Sequence, residues 1–198
     1  MFDQVFLERE FSALDDLTDV RWIIDGGANV GYASAWFLSR FPLARVAAVE
    51  PDPDNAAMCR RNLAPYGDRA IVLEGGLWPH RARLMLEESP FRDGGAWTRQ
   101  VREARADEAG TLDGYGIADV MEVLGTDELS LVKLDIEGAE VPVLRGDVTS
   151  WLPRTRAVAG ELHTDTHFGD GPAAFAAAIR PPAFRVTTSG ELTIARRA

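Results

Sequence analysis

Four acidic residues each follow a short apolar run, which is the pattern of side chains at the ends of buried strands. They are Asp25, Glu50, Asp135 and Glu161. Because ligands of parallel sheets lie beyond the carboxyl ends of the strands, we expect these carboxylates to converge at one edge. Carboxylates placed there can accept hydrogen bonds from ligand hydroxyls, bind a divalent cation or take up a proton.

Two ways of removing a proton from a bound hydroxyl are open. Mg²⁺ held by Asp135 and Glu161 would acidify the hydroxyl, whereas His163 would act as a general base without a metal. We favour the metal because two carboxylates form a better oxygen cage than a base dyad. Lys133, the only lysine among 21 basic residues, is a compact charge that can orient Asp135 and Glu137. Three of these residues also have a structural alternative. His163 could be a satisfied histidine next to a strand end, Glu161 could pair with a neighbouring arginine, and Lys133 could pair with a surface acid. The candidate catalytic residues are Lys133, Asp135, Glu161 and His163.

The segment RWIIDGGANVG, residues 21–31, predicts a strand, a tight turn and the start of a helix. A dinucleotide fingerprint has the spacing G-x-G-x-x-G, whereas this segment has D-x-G-x-x-x-G. Asp25, Glu50, Asp52 and Asp54 would surround a pyrophosphate with like charge. S-adenosylmethionine, which has a sulfonium and an ammonium but no phosphate, suits this environment better. An NAD-binding oxidoreductase remains an alternative because Glu50 can contact a ribose, and a plain strand-to-helix turn is the structural alternative.

The chain has 198 residues, of which 46% are hydrophobic and 26% charged. These values are typical of globular proteins and predict one domain over residues 1–198. The net charge of −10 and the pI near 4.8 disfavour nucleic acid and anionic membranes as partners. A single cysteine, Cys59, cannot form an internal disulfide. The N-terminal segment lacks the features of a signal peptide, and no apolar run reaches 18 residues. We therefore expect a cytoplasmic protein.

Strand and helix patterns alternate along the chain, as in a doubly wound α/β sheet that is mostly parallel. A leading helix is predicted within residues 1–20, before a cofactor-binding and catalytic core over 21–198. An irregular loop is predicted over 87–110, and a C-terminal antiparallel hairpin over 184–197. Further strands are predicted near 22–24, 46–49, 70–74, 84–86, 129–136 and 157–162, and helices near 32–40, 56–63, 117–124, 137–146 and 171–180.

Four segments together resemble the signature segments of FkbM-type S-adenosylmethionine-dependent methyltransferases. They are DGGANVGYAS, AVEPDPDN, LVKLDIEGAEVPVLRG and AGELH, and the resemblance runs from about Trp22 to His163. It implies a class I methyltransferase (Rossmann-like) fold. It also implies O-methylation of a hydroxyl on a sugar or secondary metabolite.

The resemblance also implies which residues hold the cofactor. Asp25, Gly27, Asn29 and Gly31 would hold the methionine part, Glu50 the ribose, and Leu77 with Trp78 the adenine. The complete predicted cofactor set is Asp25, Gly26, Gly27, Asn29, Gly31, Glu50, Pro51, Asp52, Leu77 and Trp78. The expected partner is a hydroxylated small molecule, with Mg²⁺ as an optional second cofactor. Oligomeric state is open, with a homodimer as one option, and a non-catalytic methyltransferase-like binding module is a further alternative.

Overall fold

The computed structural model describes residues 2–88, 99–164 and 166–198. Its strands are β1 (Trp22–Gly26), β2 (Arg45–Glu50), β3 (Ala70–Leu77), β4 (Ala82–Glu88), β5 (Arg99–Glu103), β6 (Leu112–Tyr115), β7 (Leu129–Leu134), β8 (Thr155–Glu161), β9 (Phe184–Ser189) and β10 (Leu192–Arg197). Its α-helices are α1 (Phe2–Phe6), α2 (Tyr32–Arg40), α3 (Pro53–Leu63), α4 (Ile117–Leu124), α5 (Glu140–Arg145) and α6 (Gly171–Ala178). None of the helices within these ranges is long and apolar enough to cross a membrane.

The strands form one mixed sheet in the order β5-β4-β6-β3-β2-β1-β7-β8-β10-β9. The six central strands, from β6 to β8, are paired in parallel. At one edge β10 and β9 form the predicted antiparallel hairpin, and at the other edge β4 and β5 are also antiparallel. The predicted fold class is therefore confirmed, and the second antiparallel edge is an addition to it.

The central strands are apolar on both faces because helices cover both sides of the sheet. In β1, Ile23 packs in the layer that contains Phe37 of α2, whereas Ile24 packs in the layer that contains Val120 of α4. Both isoleucines are fully buried. This double cover leaves the ends of the strands as the place where polar side chains can gather.

Two predicted segments differ from the structure. Residues 1–20 contain the short α1 and a separate 3-10 turn over Glu10–Leu14, rather than one leading helix. Arg9 separates them because its backbone is left-handed, with φ 56°. The predicted loop 87–110 includes strand β5, which pairs with β4, while its part over residues 89–98 lies outside the described residues.

Several boundaries also move. The strand predicted near 70–74 is longer in the structure, because β3 continues through Gly75 and Gly76 to Leu77 and pairs there with β6. The helix expected from Glu137 begins only at Glu140. Glu137 has φ 52° and Gly138 has φ 101°, so neither has helical backbone. The acids after β7 therefore lie in a loop facing the strand ends.

Candidate active site

A cavity of about 420 Å³ opens where the central parallel strands end. Among its described lining residues are seven acidic side chains and a single basic one, that of Lys133. The acidic ones are Glu10, Glu50, Asp52, Asp135, Glu137, Glu161 and Glu191. A lining of this charge repels anionic ligands and favours cationic or neutral ones.

The turn after β1 forms one wall of this cavity. The N–H groups of Gly27 and Ala28 donate to the carbonyl of Val49, which fixes the turn against the end of β2. Gly27 has φ 71°, and a Cβ there would lie 1.7 Å from the carbonyl oxygen of Asp135. Glycine is therefore required at position 27 by conformation and by the close approach of the β7 loop.

Glu50 is 5% exposed and connects two loops of the cavity. One carboxylate oxygen accepts the N–H of Asn29 at 2.7 Å, and the other accepts the N–H of Asp52 at 2.9 Å. Burial raises the pKa of this carboxyl group, while the two backbone donors oppose the rise. A carboxylate has about four acceptor positions, so acceptor capacity remains for a ligand in the cavity.

Lys133, the basic residue in the cavity lining, is 3% exposed. Its Nζ lies 3.1 Å from Asp25 Oδ1 and 3.3 Å from Asp135 Oδ2. It also donates to the carbonyl oxygens of Gly26 and Gly27 at 3.3 and 3.2 Å. Burial alone would lower the pKa of Lys133, but the two carboxylates outweigh it and raise the pKa. One ammonium therefore fixes the positions of the glycine turn and the loop after β7.

Glu140, the first residue of α5, fixes the orientation of His163. Its Oε1 accepts the N–H of Ile136 at 2.9 Å and lies 3.0 Å from His163 Nδ1. Because an ionised carboxylate only accepts, Nδ1 is the donor, and Nε2 faces Glu137 and Glu161 at 3.6 Å each. Burial would lower the pKa of His163, but the hydrogen bond and charge of Glu140, with other nearby acids, raise it to about 9. The imidazole of the metal-free protein is thus protonated at neutral pH, which disfavours it as a general base.

Asp135, Glu161 and His163 come close enough together to hold a metal ion. One ligand atom from each lies within 4.8 Å of the other two. Glu10 from the N-terminal turn also lies near this cluster. Burial raises the pKa of Glu10, opposed by the charge of Lys133 and assisted by those of Asp135 and Glu161. The N-terminal segment therefore contributes to the acidic end of the cavity.

The structure divides the residues that the sequence singled out into two groups. Those that line the cavity are Gly27, Asn29, Glu50, Pro51, Asp52, Leu77, Lys133, Asp135 and Glu161. Those that are not among its described lining residues are Asp25, Gly26, Gly31, Trp78 and His163. The binding and catalytic roles assigned to all of them remain predictions.

Residues of the second group have structural contacts instead. Asp25 is fully buried and accepts the Ser34 hydroxyl at 2.6 Å. A Cβ on Gly31 would lie 2.8 Å from Cys59 Sγ, so this glycine permits α2 and α3 to pack closely. Trp78 is 6% exposed, and its ring meets that of Phe168 edge-on at 5.6 Å between centroids.

Three acidic residues at or beside the cavity were not predicted from the sequence. Glu140 was not among the predicted site residues, because nothing local links it to a histidine 23 residues later. Glu10 and Glu191 reach the cavity from the N-terminal turn and the β9–β10 hairpin. No sequence motif marks either position, and only the packing of these segments brings them to the strand ends.

The sequence is similar to that of several methyltransferases. A family described as the methyltransferase FkbM domain matches residues 25–180. The chain is 29% identical over 163 residues to 2-O-methyltransferase NoeI of Sinorhizobium fredii, covering 75% of this chain and 65% of NoeI. It is 30% identical over 145 residues to hexuronic acid methyltransferase AglP of Haloferax volcanii, covering 73% and 56%. The chain thus spans less than two thirds of the length of either relative.

Solved structures show the same fold at low sequence identity. A putative O-methyltransferase from Klebsiella pneumoniae superposes with a TM-score of 0.58 at 16% identity, covering 96% of this chain and 79% of that one. A putative rRNA methylase from Clostridium thermocellum also gives 0.58, at 10% identity and 97% coverage of both chains. The neighbours share a class I methyltransferase fold. With the family match over most of its length, the chain belongs to the FkbM-domain methyltransferases.

Proposed function

We propose that this methyltransferase uses S-adenosylmethionine and transfers the methyl group to a hydroxyl of a small molecule. The observation that carries the proposal is the strand-end cavity, with seven acidic side chains and one lysine among its described lining residues. An acidic cavity suits a ligand with a sulfonium and an ammonium, and it is unfavourable for a pyrophosphate.

The residues present fit this cofactor. Glu50 is a nearly buried carboxylate with acceptor capacity left over, which suits the two hydroxyls of a ribose. The Gly27–Asn29 turn would hold the methionine part, and Leu77 beside Gly76 would contact the adenine. S-adenosylmethionine supplies an already activated methyl group, so the protein mainly has to align donor and acceptor.

Lys133 and Asp135 would maintain that alignment. Because the Lys133 ammonium contacts both Asp135 and the glycine turn, it fixes the distance between the cofactor wall and the acceptor end of the cavity. Asp135 and Glu161 lie at that end, where an acceptor hydroxyl must lose its proton. The names of two relatives support the two parts of this proposal separately, since NoeI is a 2-O-methyltransferase and AglP is a methyltransferase of a sugar acid, hexuronic acid.

The two alternatives differ from the proposal in ligand or in turnover. An NAD-dependent oxidoreductase would have to bind a pyrophosphate among the acids of the cavity, and a non-catalytic module would bind cofactor without turnover. RNA and membranes are disfavoured as partners by the net charge of −10, and we place the protein in the cytoplasm.

The test is transfer of an isotope-labelled methyl group to pooled glycans and metabolites from cell extract. We expect a new O-methyl product of mass one methyl above its precursor. A control reaction contains ribosomal RNA instead. Label that accumulates in RNA alone, or cofactor binding without transfer to any acceptor, would contradict the proposal.

A further inference from the structure

A histidine nitrogen lies buried and without a hydrogen bond beside the acidic end of the cavity. His163 is 6% exposed, and its Nε2 has no hydrogen-bond partner among the described residues. The nearest carboxylate oxygens, on Glu137 and Glu161, lie at 3.6 Å, which is too long for a hydrogen bond. Nε2 is therefore within ion-pair distance of two carboxylates but makes no hydrogen bond, and a metal ion bound beside it would satisfy it.

The separation of the surrounding oxygens suits a metal ion. Donor atoms bound to one ion at about 2.0–2.2 Å lie roughly 3–3.6 Å apart, by the geometry of tetrahedral or octahedral sites. His163 Nε2 and Glu161 Oε1 already have this separation, at 3.6 Å. Asp135 completes a set of three whose ligand atoms all lie within 4.8 Å of one another. A shift of about 1 Å by the partly exposed Asp135 would close the set.

The other ring nitrogen of His163, Nδ1, has the kind of hydrogen-bond partner that metal-binding histidines have. A histidine that binds a metal almost always donates its other ring N–H to a carboxylate or a carbonyl, which fixes the tautomer and the ring orientation. Here Nδ1 lies 3.0 Å from the fully buried Glu140, whose Oε1 is itself held by the N–H of Ile136. A neutral ring would therefore present its Nε2 lone pair to the side that holds Glu161, with a ligand atom of Asp135 within 4.8 Å.

We propose that Asp135, Glu161 and His163 bind one divalent first-row transition ion, of the Mn²⁺ type, with Glu140 as the positioning residue of His163. This changes the ion expected from the sequence. Mg²⁺ prefers oxygen donors alone, whereas an imidazole beside two carboxylates favours transition ions. Binding of the ion does not depend on the proposed function. Only its use, to acidify an acceptor hydroxyl, rests on that function.

Mn²⁺ is the probe, because its electron paramagnetic resonance signal in solution is lost when the ion binds. We expect one ion per chain, retained in a large excess of Mg²⁺ and displaced by Zn²⁺. Glu140→Gln should weaken binding about 10- to 100-fold, and His163→Gln at least as much. Glu191→Gln removes one acidic charge from the same cavity without removing a donor, and it should leave the affinity nearly unchanged.

Circular dichroism and thermal melting of each variant separate loss of ligand from loss of fold. Failure of wild-type protein to bind Mn²⁺ at pH 8 would overturn the proposal and leave His163 as a cation that stabilises the surrounding carboxylates. Equal weakening by Glu191→Gln and His163→Gln would also overturn it, because binding would then reflect the acidic field alone. S-adenosylmethionine binding, measured separately in metal-free protein, reports on the proposed function whether or not the ion binds.

Discussion

Replacement of Lys133 by methionine removes the ammonium that lies against the fully buried carboxylate of Asp25. The Lys133 ammonium lies 3.1 Å from Asp25, which is 0% exposed, and 3.3 Å from Asp135, whose side chain is 34% exposed. Breaking a buried pair on one side costs about 3–5 kcal/mol, because the remaining charge is left without a partner. Most of this cost falls on Asp25, since Asp135 can be hydrated. In a chain of this length the melting temperature should fall by roughly 6–20 °C.

A double-mutant cycle identifies the cause of that loss. Asp25→Asn removes the buried charge, so adding it to Lys133→Met should recover about 1–3 kcal/mol. Urea unfolding of the wild type, both single variants and the double variant gives the coupling free energy. If Lys133→Met costs less than about 1 kcal/mol, or the double variant is no better than additive, Lys133 does not stabilise the turn as we describe.

Three further changes test other parts of the site. Glu50→Gln places an amide NH₂ opposite one of two backbone donors, so calorimetry should show S-adenosylmethionine binding weakened by about 1–3 kcal/mol, and unchanged affinity would exclude Glu50 from the ribose site. Gly27→Val should weaken binding and also lower the melting temperature, because its Cβ would strike the carbonyl of Asp135, whereas a clash only with ligand would spare stability. In metal-free protein the raised pKa of His163 contributes stability that is fully present below pH 6.5 and is lost as pH rises through about 9. The loss should be about 3–4 kcal/mol by urea unfolding, and a pH profile that His163→Gln leaves unaltered would contradict it.

The sequence predicts those parts of the fold that local patterns encode. Helices α2 and α4 begin and end where the apolar period and the flanking residues place them, at Tyr32–Arg40 and Ile117–Leu124. The C-terminal hairpin is found over the expected residues because a Ser-Gly turn separates two strand-like runs. In contrast, β5 carries few apolar residues, so its pairing with β4 depends on tertiary context rather than on pattern.

Convergence of the acids was also predictable, because parallel strands end on the same edge of the sheet. Their partners were not. The sequence placed Lys133 beside Asp135 and Glu137, whereas the ammonium contacts Asp135 and Asp25, and Glu137 lies near His163. Lys133 and Asp25 lie on neighbouring strands whose register no local motif reveals. Long-range register and buried hydrogen bonds arise only when the elements pack.

Calorimetric titration of the wild-type protein with S-adenosylmethionine tests the central claim most directly, with NAD as the matched alternative ligand. We expect one site per chain for S-adenosylmethionine, weakened by Glu50→Gln, and no heat with NAD. Binding of NAD with no binding of S-adenosylmethionine would contradict the assignment of the strand-end cavity.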